Sequence, residues 1–398
     1  MSLASGFEYL AIPGPSVMPE AVLRAMHRPA PNIYEGELVE LTQRIIPRLK
    51  HVAQTDGYAT IYMSNGHGAW EAALANIVTR DDRILVAATG RFAHGWAEMA
   101  RRMGIEVDIL EFGDTTPIDP QRLQDHLSQK PSDHYRAVLI THVDTSTSIK
   151  NDVARVRDAI AQSKTSALLA VDCIASLGCD RFLMDDWGVD VMVASCQKGL
   201  MVPPGLAFVF FNERAAERQR RLEYVSMYWD WAPRANPELF YQHFCGTAPT
   251  HHLFGLDAAL TLIETEGLDN VIHRHETLAR AIWTAAGVWG QNGALRMNVE
   301  HPNHRSHAVT ALRLNAPDGT RLRHWTQTQA GLTLGIGLGM STPSDPQGDG
   351  FFRFGHMGHV NAHMIMGLLG TVQAGFVALD IEHGCGALDA AARVIAQG

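Results

Sequence analysis

Between about residues 58 and 210 the chain repeats one pattern. Short apolar runs (ATIYM, DRILVAA, EVDILEF, RAVLIT, ALLAVD and VDVMVAS) are separated by loops and by stretches with helical spacing, such as AWEAALANIV and FAHGWAEMARRMG. Apolar runs of this length bounded by polar or Gly-rich segments read as strands buried on both faces. Their alternation with helices predicts an α/β architecture with a doubly wound, mostly parallel sheet. Each polar cluster falls just past the C-terminal end of its run: Ser64 to Gly68, Gly90 to Phe92, Thr141 to Thr145, Asp172 and Lys198. Ligands of such sheets bind beyond the carboxyl ends of the strands, so these clusters face one crevice.

At 398 residues the chain exceeds one ordinary core. The alternation stops after Phe211. A charged helix, an aromatic loop containing YWDW at 228–231 and two long amphipathic helices follow. Then come mixed strand and helix and a Gly-rich loop, GIGLGMSTPSDPQGDG. The expected division is an N-terminal arm (1–20), a large domain (21–275) and a smaller α+β domain (276–398), with the break inside the second long helix.

A net charge of −9 without a basic block gives nucleic acid or an anionic membrane little to hold, so the expected partner is a small molecule. No apolar segment is long enough to span a bilayer and no secretory leader is visible, which sets a cytoplasmic expectation. The five cysteines show no CxxC pair and read as reduced structural thiols. His301, His304 and His307, or His356 and His359, have a spacing that could share a helix face. They lack carboxylates at ligand spacing, so no metal site is expected.

The crevice residues suggest a chemistry. Asn65, Gly66 and His67 lie in a small turn opening an Ala-rich helix, where free N–H groups and the helix dipole favour an anion, and Gly66 and Gly68 permit close approach. The turn is neither GxxxxGK[ST] nor GxGxxG, so a smaller phosphate is expected rather than a nucleotide. Phe92 either stacks on a flat ring or belongs to the core. The hydroxyls at Thr145 to Thr147 either meet an oxyanion or cap the helix near DVARVRDAIAQ. Tyr34 opens a loop, where it packs or reaches a ligand. A lysine amine, a carboxylate on a neighbouring strand, a phosphate-binding helix start and a stacking aromatic are what pyridoxal phosphate requires. Lys198 would form the Schiff base and Asp172 would keep the ring nitrogen protonated.

On SNGHGAWEAAL, THVDTSTS, VDCIASLG, SCQKGLMVPPG and FRFGHMG, with 26 residues from Asp172 to Lys198, the chain resembles the class V branch of fold type I pyridoxal phosphate-dependent aminotransferases. Within that branch it is most similar to the alanine/serine-glyoxylate aminotransferases. The resemblance implies a large domain with a seven-stranded sheet and a homodimer with active sites at the interface. It puts Asn65, Gly66, His67 and Gln197 on the cofactor phosphate, Thr145 on the ring oxygen, and Thr247 on the phosphate across the dimer interface. Arg353 is implied as the partner of the substrate carboxylate. The implied reaction moves an amino group from alanine, serine or a similar donor to glyoxylate or pyruvate. An alternative is an unusual amine donor of the pyridoxamine type. A lyase or desulfurase is disfavoured, because no cysteine lies between Cys245 and Cys385 to serve as the mobile nucleophile. The chain departs from its relatives in having Phe244 where a tyrosine is common and phenylalanine at the stacking position. Its loop before Arg353 is long and carries Asp345 and Asp349.

Overall fold

A computed structural model describes residues 2–398. Its strands, in chain order, are β1 (Tyr9–Ala11), β2 (Tyr58–Ser64), β3 (Arg83–Ala88), β4 (Glu106–Glu111), β5 (Ala137–Thr141), β6 (Leu168–Asp172), β7 (Val191–Ser195), β8 (Gly205–Phe211), β9 (Arg296–Met297), β10 (Val309–Arg313), β11 (Leu332–Ile336) and β12 (Phe351–Gly355). Seven of them form one sheet in the order β2-β8-β7-β6-β5-β3-β4, parallel throughout except for β8, which runs against both of its neighbours. The sheet is buried on both faces. In β3, Ile84 and Val86 join one apolar cluster with helices Gly66–Ile77 and Arg91–Arg102, while Leu85 and Ala87 join another with helices Glu37–Ala53 and Thr250–Glu266. This two-sided burial is why the strands read as unbroken apolar runs instead of alternating ones.

A second sheet, β1-β11-β12-β10-β9, is antiparallel except for the β1–β11 pair. It packs with helices Leu268–Gln291, Asp318–Ala330, Ala362–Ala378 and Ala387–Gln397 around Trp289, Phe352 and Phe376. Helix Leu268–Gln291 belongs to both halves: Val271 lies in a large-sheet cluster, whereas Leu278 to Trp289 lie in the small-sheet core. The N-terminal arm is not free-standing, because Tyr9–Ala11 pairs with Leu332–Leu334 as an edge strand. The Pro/Gly-rich stretch that follows, residues 12–19, has no regular structure.

The histidine spacings do not share helix faces. His301 and His304 flank a short 3-10 turn, and His356 and His359 lie in the turn after β12. All five cysteines are free. Burial pushes the Cys179 and Cys196 thiols up to about 12, which leaves both inert. No helix among the described residues is long and apolar enough to cross a membrane.

Candidate active site

Asp172 ends β6, and Lys198 lies three residues past the end of the adjacent strand β7, so the sheet delivers both groups to one edge. The Asp172 carboxylate is buried. One oxygen accepts the Trp70 indole N–H at 2.9 Å and the other accepts the Ile174 amide at 2.7 Å. Burial pushes this carboxyl up to about 7 despite those donors and the charge of Lys198. Held this way, Asp172 is poised to ionise fully once a cationic N–H faces it.

Burial pushes the Lys198 amine down to about 8, helped by the Arg353 charge and opposed by Asp172. Near neutral pH a minority of this amine is therefore uncharged and nucleophilic, a far larger fraction than for an ordinary lysine. Its Nζ donates to the Pro13 carbonyl. The lysine loop is stitched to the N-terminal segment: the Ser16 hydroxyl donates to the Lys198 carbonyl at 2.7 Å, and the Ser16 amide donates to the Gln197 carbonyl at 2.9 Å. Gly14, at φ +97°, leaves room for the amine, since a β-carbon there would lie 2.5 Å from Nζ.

The glycine turn opens helix Gly66–Ile77, where the Asn65 side chain caps the helix by accepting the His67 amide at 3.0 Å. A β-carbon on Gly66 would meet the Ile174 side chain at 2.4 Å, so the turn sits against the residue two places beyond Asp172. Phe92 is half-buried at the start of helix Arg91–Arg102, its ring edge-on to Trp70 at 6.3 Å between centroids.

The hydroxyl loop after β5 does not cap the helix that follows it in sequence, because Asp152 does that through the Arg155 amide. Asp144 instead reaches across to the start of the helix carrying Phe92. One carboxylate oxygen accepts the Phe92 and Ala93 amides at 2.8 and 3.4 Å, and the other accepts the Ser146 amide at 2.9 Å and its hydroxyl at 2.5 Å. The Arg91 amide donates to the Ser146 hydroxyl at 3.2 Å. Thr145, between Asp144 and Ser146, gives its carbonyl to the Arg353 guanidinium at 2.7 Å, and Arg353 also donates to the Ile336 carbonyl at 2.7 Å. Burial pushes Arg353 down to about 10, with Asp144 opposing. Two polar atoms beside Lys198 in the chain are buried without a partner, Gln197 Oε1 and Ser195 Oγ.

Tyr34 and Thr247 do not join Lys198. They line a separate surface cavity of about 440 Å³ with Tyr241 and Leu239, and Tyr34 is 85% exposed. The YWDW segment is mostly a packing device: Trp231 stacks on Phe211 at 4.0 Å, the Trp229 indole donates to Glu71, and Tyr228 lies against the buried Arg234. The acidic residues of the loop before Arg353 hold the loop itself. The Asp345 carboxylate accepts the Asp349 and Gly350 amides, and Asp349 accepts the Thr320 hydroxyl. Phe244 is fully buried. Sequence reasoning missed Trp70, which resembles any core residue of an Ala-rich helix, and the capping role of Asp144. It also passed over Ser195, whose polarity at the end of an apolar strand was the available signal.

Over its whole length the chain has the fold of pyridoxamine-pyruvate aminotransferase from Mesorhizobium loti, with a TM-score of 0.87, 23% identity and 100% of each chain covered. In sequence it is 31% identical over 383 residues to serine-glyoxylate aminotransferase of Methylorubrum extorquens, covering 94% of this chain and 92% of that one. It is 32% identical over 369 residues to L-aspartate-glyoxylate aminotransferase of Paracoccus denitrificans, covering 91% of this chain and 89% of that one. The fold and these relatives define an aminotransferase. The aminotransferase class-V family model matches residues 9–343, and the chain belongs to that family.

Proposed function

We propose that this transaminase uses pyridoxal phosphate to move an amino group from a small amino acid such as alanine or serine to glyoxylate or pyruvate. In our reading it works as a homodimer in the cytoplasm, with a large unit over 21–275 and a small one over 276–398. The observation that carries the cofactor assignment is the pair of buried groups at the ends of adjacent strands, a carboxyl raised to about 7 and an amine lowered to about 8. The fit extends to the unpartnered Ser195 hydroxyl and to the turn at Gly66, which opens helix Gly66–Ile77. A cationic ring nitrogen answers Asp172, an aldehyde answers the Lys198 amine, and a phosphate can accept from the Ser195 hydroxyl and from the amides that open helix Gly66–Ile77.

Bound pyridoxal phosphate supplies an electron-withdrawing ring that weakens the α-C–H bond of an attached amino acid. The chain's own residues do the rest. Asp172 would face the ring nitrogen as an acceptor and keep its proton in place. The Lys198 amine would hold the cofactor and, when free, would move a proton at the substrate α-carbon, acting as base and then as acid. Arg353 pairs with the substrate carboxylate through parallel donors, its guanidinium fixed by the Thr145 and Ile336 carbonyls. Phe92 would cover one ring face, Thr145 would meet the ring oxygen, and Asn65, Gly66, His67 and Gln197 would take the phosphate. Tyr34 and Thr247, exposed together away from Lys198, suit a role in the partner subunit's site. Five free thiols suit a reducing compartment.

The test is a spectroscopic half-reaction screen of the purified protein. Alanine, serine, aspartate and pyridoxamine serve as donors, with glyoxylate, pyruvate and 2-oxoglutarate as acceptors. A yellow protein that bleaches fastest with alanine or serine and recovers with glyoxylate or pyruvate supports the assignment, and Lys198→Ala should lose turnover. A colourless protein, active without added cofactor, overturns it.

A further inference from the structure

On the face where β9 and β10 meet the loop after β4, a cavity of about 860 Å³ opens between residues 115–117 of the large-sheet half and residues 296–313 of the small-sheet half. Three guanidinium groups line it, Arg296, Arg305 and Arg313, against a single carboxylate, Glu300. None of the three makes an ion pair among the described residues. In a chain with net charge −9, three unpaired arginines in one cleft are an unusual local excess of positive charge.

The backbone increases the cost of this arrangement. In the antiparallel β9–β10 ladder Arg296 stands directly opposite Arg313. Like charges directly across an antiparallel pair repel, and a substitution of either one would relieve that repulsion. Two of the three groups are also fixed in advance. Arg296 is held by the carbonyls of Gly290, Gly293 and Leu295 at the end of helix Leu268–Gln291, through one nitrogen only. Arg305 donates to the Val299 and Glu300 carbonyls and lies 5.5 Å over the Trp283 ring, with its remaining nitrogen uncommitted. The Arg313 side chain makes no hydrogen bond among the described residues and rests near the Phe351 ring. His301 and His304, their rings 4.9 Å apart, line the same cavity, and burial with the neighbouring charges lowers the pKa of His304. Asn298 forms part of the wall and donates to the Asp114 carbonyl at 2.6 Å and to the Thr147 carbonyl at 3.0 Å, joining the cleft to the loop that carries Thr145.

We propose that this cleft is a second anion site, separate from the crevice of Lys198, that takes a small multivalent oxyanion and binds it between the two halves of the chain. Guanidinium groups offer paired N–H donors to phosphate and carboxylate oxygens alike, so the shared chemistry is a compact polyanion of either kind. An occupant would neutralise the Arg296–Arg313 repulsion and tie β9 and β10 to the loop after β4. The inference does not depend on the transaminase reading, because its test reads binding and melting rather than turnover.

The experiment titrates the purified protein, saturated with pyridoxal phosphate, with pyrophosphate and in a separate arm with citrate. It is followed by calorimetry and thermal melting against potassium chloride of matched ionic strength. We expect binding of one anion per chain and a rise in melting temperature with at least one probe; the arm that responds more strongly identifies phosphate or carboxylate as the preferred ligand. Arg313→Gln should weaken that binding about 10- to 100-fold, the range of one charge-assisted hydrogen bond. Free of anion, the same variant should melt at or above the parent temperature, which a purely structural arginine would not allow. No response to either probe beyond the chloride control, or an undiminished response in both Arg313→Gln and Arg305→Gln, overturns the proposal.

Discussion

The Asp144 carboxylate organises both sides of the crevice mouth, and Asp144→Ala tests how much depends on it. The side chain is buried and accepts four donors: the Phe92 and Ala93 amides at the helix start, and the amide and hydroxyl of Ser146. Removing an N-cap costs about 0.5–2 kcal/mol. Leaving a buried N–H unpaired adds about 1–3 kcal/mol, here at Ser146. Burial raises the Asp144 pKa, so part of this gain is already spent on desolvating the charge, and a net loss of about 2–4 kcal/mol is expected. Urea unfolding of the cofactor-free protein would read this as a lower midpoint with an unchanged slope. Hydrogen exchange at the Phe92 and Ala93 amides would show the helix start opening. Asp144→Asn, which keeps one acceptor oxygen, should recover part of the loss. Gly90 supplies a second probe, because a β-carbon there would lie 2.6 Å from the Asp144 carboxyl carbon. Gly90→Ala should destabilise the parent protein and cost less in the Asp144→Ala background, where the clash is gone and only the backbone strain at φ +157° remains. Additive effects of the two substitutions, or an Asp144→Ala midpoint equal to the parent's, would refute the reasoning.

Cofactor uptake should depend on pH through Lys198. The amine binds a proton below about 8 and is nucleophilic above it, so uptake by the cofactor-free protein should accelerate as pH rises through about 8. Arg353→Gln removes a charge that lowers this amine and should move the midpoint of the stopped-flow rate profile upward; a downward move contradicts the assigned cause. Gly66→Ala should weaken cofactor binding in equilibrium dialysis because its β-carbon meets Ile174, and Ile174→Ala should restore most of the loss; failure of that rescue would locate the defect elsewhere. If Thr247 acts in the partner subunit's site, inactive Lys198→Ala and weakened Thr247→Val subunits, mixed and re-formed, should regain more activity than either parent. Each hybrid dimer then holds one site with neither substitution, and no gain would place Thr247 in its own subunit's site or outside the mechanism.

The large sheet was legible because burial on both faces leaves unbroken apolar runs, and because parallel strands need helical crossovers that show their own spacing. The same logic put Asp172 and Lys198 at one edge before any coordinates. What periodicity could not show were contacts closed over long chain separations. Three residues, Tyr9–Ala11, carry too little pattern to announce a strand, and their pairing with β11 depends on a partner more than 300 residues away. Asp144 looked like a local turn residue, yet its partners are the amides of Phe92 and Ala93 in a different crossover. The acidic loop before Arg353 invited a substrate role, but its carboxylates are consumed by neighbouring amides and a hydroxyl. The basic cleft was invisible for a related reason: Arg296 and Arg313 become neighbours only through the register of a two-residue strand.

The stitching of Ser16 and Pro13 to the lysine loop bears on how the molecule can be handled. The chain starts on the edge of the small sheet, passes the Lys198 amine, and only then enters helix Glu20–Met26 and the large sheet. Residues 9–16 are thus a wall of the reaction chamber and a mechanical link between the two sheets. Trimming them to tidy an expression product would open the chamber and release the lysine loop together, whereas the last helix, Ala387–Gln397, packs into the small-sheet core and touches none of these contacts. Purification handles and surface tethers belong at that end.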